Sequence, residues 1–154
     1  MQLSDVFLGL GEEQFSQTLR TVSMGKLRTY QLYDRLKTRA HLAKLNSETL
    51  RKASGRLWER MQERNDDFAT DIAQSVLISH LDTIIEILNF LQVPHDDGFF
   101  PKDADVSKHL TEGWQQRVWD QFSPTKPKAA LLFYINHLAW ETNPDSTTVF
   151  QPAA

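Results

Sequence analysis

DDFATDIAQSVLISHLDTIIEILNFLQ, residues 66–92, is apolar around most of a helical circumference. Val76, Leu77, Ile78, Leu81, Ile84, Ile85, Ile87, Leu88, Phe90 and Leu91 leave one narrow polar row, Asp71, Ser75, Ser79, Asp82, Glu86 and Asn89, spaced three or four residues apart. A helix with so little polar surface is surrounded by other helices. The stretch therefore predicts the middle of a helical bundle, with the polar row as its solvated edge. Asn65, Asp66 and Asp67 supply a cap and favourable first-turn charge, and Pro94 ends the helix.

Working outward, the same period recurs on both sides. Upstream, a short N-terminal piece is punctuated by Gly9 and Gly11, and Phe15 and Leu19 then mark a helix from Glu12 to about Val22. Leu27, Tyr30, Tyr33, Leu36, Ala40 and Ala43 mark a second from Lys26 to about Leu45. Asn46 and Ser47 are good N-cap types for a third, which carries Leu50, Ala53, Leu57 and Met61 to about Arg64. Downstream, VPHDDGFFPKD at 93–103 is a loop, followed by an amphipathic helix with Val106, Leu110, Trp114, Val118 and Phe122. Pro124 and Pro127 open a last helix ending near Asn143, whose core AALLFYINHLAW (129–140) has almost no polar face.

No alternating β-pattern, internal repeat or sustained heptad is present. The expected fold is all-α: a single-domain bundle of five or six helices over residues 1–144, with the 66–92 helix and the last helix as its core pair. Residues 145–154 are expected to be a flexible tail.

Composition narrows the function. With 40% hydrophobic and 24% charged residues over 154 positions, the chain is ordinary for a globular domain of this length. The absence of cysteine excludes disulfides, thiolate nucleophiles, iron–sulfur clusters and Cys-type zinc sites. The N-terminus carries no basic residue before a very short apolar stretch, so it does not read as a secretory or transit signal, and the expected location is cytoplasmic. Apolar runs such as Ala129 to Ile135 fall well short of the roughly 20 residues that span a bilayer, so no membrane association is expected.

Charge is distributed unevenly. Between Arg20 and Arg64 there are 12 Lys and Arg against 4 Asp and Glu, a net of +8, whereas the rest of the chain carries a net of −11. Lys52, Arg56, Arg60 and Arg64 form an i, i+4 row in which neighbours repel by a few tenths of a kcal/mol. Glu48, Glu59, Glu63 and the acidic second half offer neutralisation within the fold or across a dimer. The alternative is an anion-binding face for an acidic protein, a nucleotide or nucleic acid. LAKLNSETLRKASGRL (42–57) has a cap and a basic second helix in the manner of a helix-turn-helix, but its turn is short and the overall charge of −3 opposes a phosphate backbone.

Candidate ligand pairs lie at i, i+4: Asp82 with Glu86, Asp105 with His109, and His137 with Glu141. Neither Glu-x-x-His nor His-Glu-x-x-His is present, and PHDDGFFPKDAD (94–105) lacks the alternation and the Glu of a calcium loop, so no metal or other cofactor is expected. Phe99 and Phe100 are expected to plug that loop into the bundle, and Asp103 and Asp105 to cap the next helix. His80 points about 160° away from Asp82 around the helix and reads as a core histidine. His137, with Tyr134 at i−3 and Glu141 at i+4, has the surroundings of an oriented imidazole. Glu141 sits in the last turn of an apolar helix, opposed by the dipole, and calls for a cation or an imidazole. Convergence of His80, His137 and Glu141, with Tyr134, would define a pocket. Trp58, Trp114, Trp119 and Trp140 lie at core spacings, and no phosphate-cradling loop, nucleophile elbow or dinucleotide fingerprint occurs.

These features favour a non-catalytic helical interaction module whose basic N-terminal half docks an acidic partner surface or a second copy of itself. The alternatives are a small helical enzyme or metalloprotein built on His137, Glu141 and His80, and a nucleic-acid binder using the basic helices 26–64.

Overall fold

Apolar periodicity does form helices here, but the helices break more often than the spacing requires. The computed structural model describes residues 1–40, 44–145 and 148–153. Among them are ten α-helices rather than five or six: α1 (Leu3–Leu10), α2 (Glu12–Leu19), α3 (Met24–Thr29), α4 (Tyr33–Ala40), α5 (Ser47–Lys52), α6 (Ser54–Met61), α7 (Asp66–Ser79), α8 (Leu81–Phe90), α9 (Trp114–Phe122) and α10 (Lys128–Thr142). No strand is present among the described residues, so the all-α class holds.

Each break falls at a particular residue. The 26–45 helix divides where Gln31 takes a left-handed conformation at φ 63°, and the face expected to continue to Ala43 lies outside the described residues. The 66–92 rod divides at His80, whose φ of −120° and ψ of 27° end α7 and start α8. The 47–64 helix divides at Ala53. The helix expected from Val106 is only a 3-10 turn at Ser107–His109, and α9 starts after Gly113, which is left-handed at φ 79°. Asp103 and Asp105 therefore cap no α-helix; Asp105 accepts a 2.7 Å hydrogen bond from the Ser107 hydroxyl instead. At the N-terminus, α1 forms despite Gly9. The Gln2 N–H donates to the Asp5 carboxylate at 3.0 Å, which satisfies a free donor at the helix start.

α1 lies against the most apolar helices. It packs on both α7 and α10, and the Phe7 ring stacks on Phe133 at 4.9 Å and meets Phe15 edge-on at 5.6 Å. The closest backbone neighbours of α7 are α1, α3 and α4, and those of α10 are α1, α2 and α9. The core accordingly has two parts. One gathers Phe7, Phe15, Leu27, Leu50, Met61, Phe68 and Ile72 with Phe133; the other gathers Ile84, Ile87, Leu88, Trp114, Val118, Leu131, Ile135 and Leu138. Residues 129–138 of α10 are buried throughout and join the two parts.

The polar row of the central helices is only half solvated. Asp82, Glu86 and Asn89 are exposed, but Asp71, Ser75 and Ser79 are buried under α3 and α4. Arg39 Nε donates to Asp71 at 3.1 Å, with Arg35 at 3.7 Å from the same carboxylate. The Ser79 hydroxyl donates to the Ser75 carbonyl at 2.7 Å and accepts from the Ser23 N–H at 2.8 Å. The C-terminal segment is also held against the bundle. Buried Asn136 accepts from the Phe150 N–H at 2.7 Å and donates to its carbonyl at 3.2 Å. Val149 crosses Gly9 so closely that a Cβ there would lie 2.6 Å from its Cγ2.

Candidate ligand pocket

Where α7 hands over to α8, a gap remains between these helices and α10. Leu77, Ile78, Leu81 and Ile84 line it on one side, and Tyr134, His137 and Glu141 on the other. Gly98, Phe99 and Phe100 close it from the loop, leaving a cavity of about 140 Å³. Its wall is apolar except along one stripe of α10, because 134, 137 and 141 fall on one helical face.

The loop is fixed by its own chemistry. Asp97 and Gly98 are both left-handed, at φ 50° and 93°, which turns the backbone sharply toward α8. The φ of 93° favours glycine at position 98, and a Cβ there would lie 2.7 Å from Leu81 Cδ1, which would have to shift. The Gly98 N–H donates to His95 Nδ1 at 3.0 Å, and His95 Nε2 lies 2.7 Å from Asn89 Oδ1. That geometry uses Nδ1 as an acceptor and Nε2 as a donor. Phe100 packs against the second core part as expected, whereas Phe99, expected to plug in alongside it, is 54% exposed and covers the cavity mouth.

His137 is 8% exposed, and its Nδ1 is buried with no hydrogen-bond partner. The Glu141 carboxylate lies 3.7 Å from it, beyond hydrogen-bond range. Burial pushes the imidazole pKa down to about 4, so the ring is neutral at physiological pH. Burial, and then the Glu141 charge, push the Tyr134 phenol up. Partial burial raises the Glu141 carboxyl. The stripe thus presents a neutral imidazole, a neutral phenol and a carboxylate. Glu141 and Phe100 also border a wider outer groove of about 420 Å³, walled by Pro101, Lys102, Ala104, Asp105, Val106, Ser107 and Thr142.

The structure brings together three of the four candidate pocket residues. His80 lies elsewhere: its Nε2 is 2.8 Å from the Thr21 hydroxyl, and burial followed by the Lys26 charge lowers its pKa. A histidine at a helix junction is turned by that junction, which helical periodicity does not anticipate. The other i, i+4 pairs are engaged separately. Asp82 meets Lys26 at 3.5 Å, Glu86 pairs with Lys126, and Asp105 binds Ser107. Among the described residues no group of three or more His, Asp or Glu side chains is placed to hold a metal ion.

The basic row is dispersed. Lys52 pairs with Glu48 at 3.2 Å and Arg64 with Asp5 at 3.6 Å. Arg60 lies over the Phe68 ring at 4.8 Å and donates to the Arg39 carbonyl, and Arg56 is exposed. Comparison with protein-family models, with curated proteins and with solved structures gives no match to this chain.

Proposed function

We propose that the protein is a small-molecule-binding helical domain whose ligand occupies the cavity between α7–α8 and α10. The observation that carries this reading is the unpartnered His137 Nδ1. A buried polar atom without a partner costs roughly 1–3 kcal/mol, and such atoms are nearly always satisfied. Ser4 Oγ also lacks a partner, but Ser4 lines neither the inner cavity nor the outer groove. His137 lines a cavity of about 140 Å³, ample where a single water needs roughly 10–15 Å³. Apolar walls with a few convergent polar groups are the usual make-up of a ligand site. A screen of small apolar fragments by NMR tests the reading, with the His137 ring protons as reporter. Fragments carrying an N–H or O–H donor are expected to shift those signals and to lose affinity in His137→Leu. A screen in which no fragment moves them would overturn it.

A second reading is favoured by the junction of α2, α5 and α6. α2 packs on α5 and α6, with Phe15 and Trp58 rings 5.5 Å apart and the Ser16 and Ser54 hydroxyls at 3.3 Å. Arg20 follows the end of α2, and Arg51 and Arg56 flank the α5–α6 junction. All three are exposed and have no carboxylate partner among the described residues. Such a patch suits an acidic partner surface, a second copy of the chain or a nucleic-acid backbone. Retention on an anionic resin at low salt, lost in the Arg51→Glu, Arg56→Glu double variant, is the expected result. Equal retention of variant and wild type removes this reading.

A further inference from the structure

We infer that the ligand of the inner cavity is an apolar primary amine, bound as its ammonium ion between His137 Nδ1 and Glu141 Oε2. The assignment names the ligand class for the proposed cavity site and rests on that site being a binding site.

Donor count points to an amine. In the tautomer with its proton on Nε2, the neutral ring offers Nδ1 as an acceptor, and the carboxylate oxygen 3.7 Å away is an acceptor too, so in that tautomer neither satisfies the other. A single nitrogen about 2.9 Å from each, with at least two N–H bonds, satisfies both. A hydroxyl carries one hydrogen and satisfies one. A carboxylate carries none and is repelled by Glu141.

Charge points the same way. Glu141 is the only charged side chain on the inner wall among the described residues, and no Lys or Arg lines it there. Glu141 sits in the last turn of α10, where the unpaired carbonyls already make the helix end negative. Its only ion-pair contact among the described residues is the neutral His137. Lys102 borders the outer groove but makes no ion pair with it. The site therefore carries one negative charge with no cationic partner among the described residues, which a bound cation would pair.

The wall selects the kind of cation. Phe99, Phe100 and Tyr134 offer aromatic rings, which favour an ammonium group, while Leu77 and Leu81 take a hydrocarbon body. A hydrated inorganic cation gains nothing from such a wall, and an aliphatic ammonium gains from both parts of it. Alkylamines have pKa values near that of lysine, roughly 10.4, so the ligand arrives charged.

Three compounds with one branched five-carbon skeleton separate the possibilities: 3-methylbutylamine, 3-methylbutan-1-ol and 3-methylbutanoate, titrated into the full chain while the His137 ring signals are monitored. The amine is expected to bind about 10-fold more tightly than the alcohol, a difference of about 1.4 kcal/mol, with the carboxylate weakest. Glu141→Gln, at a half-exposed position, is expected to bring amine and alcohol within about 3-fold of each other. Glu141→Asp, which keeps the charge, is expected to keep the preference; it stands in if the Gln variant melts early. If the alcohol or the carboxylate moves His137 at concentrations as low as the amine does, the amine assignment is overturned while the pocket stands. If none of the three moves it, and neither does any fragment of the wider screen, the pocket reading falls as well.

Discussion

Buried polar groups in two regions of the core are treated differently. Under α3 and α4, Asp71, Ser75 and Ser79 lie in the interior, and each has a partner: two arginines, an i−4 carbonyl, a backbone N–H. Beside the α7–α8 junction, His137 is as deeply buried, yet its Nδ1 has none. Burial and polarity alone do not separate these sites. Satisfaction does: a polar group whose partners are all supplied by the fold is explained by the fold, and a cavity-lining one that lacks a partner points to something outside it.

The largest effect expected from this contrast is a pH dependence. His137 has a folded pKa of about 4 against 6.5 for an exposed imidazole. Between those values the unfolded chain holds a proton that the folded chain refuses, so the stability contribution is full above pH 6.5 and is lost as the pH falls toward 4. The loss amounts to about 3 kcal/mol at the lower end. His80 acts in the same direction, and the raised Glu141 carboxyl acts in the opposite one. Urea denaturation of the wild type and of His137→Leu at successive pH values isolates the ring, because the other groups are common to both. The variant's stability curve should be flatter by about that amount across the window. Parallel curves would mean that the imidazole takes up its proton as readily in the fold as in the unfolded chain, and the contrast with Asp71 would disappear.

Much of the site is legible in the sequence, and the part that is not has a common cause. Helical spacing shows that Tyr134, His137 and Glu141 share a face of an apolar helix, and that Glu141 lacks an evident counter-charge. It does not show which surface that face meets. The wall opposite depends on the break at His80, where an apparently continuous rod divides, and on the approach of Gly98 to Leu81, which joins positions distant along the helix and loop. Periodicity reports the direction of a side chain, not the identity of its neighbour. For the same reason the row from Asp71 to Asn89 looks uniform in sequence, although α3 and α4 cover only its first half. α1 is obscured by Gly9, which reads as a break but marks the crossing of Val149.

A smaller effect sharpens the comparison from the other side. Asp71 is 6% exposed and accepts from Arg39, which also reaches Asp67 at 3.8 Å, with Arg35 close by. Removing one member of a buried pair typically costs roughly 3–5 kcal/mol, because the remaining charge is stranded. Both arginines are about half exposed and can turn to water, so Asp71→Ala should destabilise by less, about 2 kcal/mol. Lys52→Ala, which breaks a fully surface pair with Glu48, provides the internal control and should change stability by less than about 0.5 kcal/mol. Both follow from urea denaturation at neutral pH. If Asp71→Ala were as mild as Lys52→Ala, the arginine contacts would not hold α4 on α7. The carboxylate at the centre of the satisfied group would then be a buried charge without effective partners, and His137 would lose its distinction.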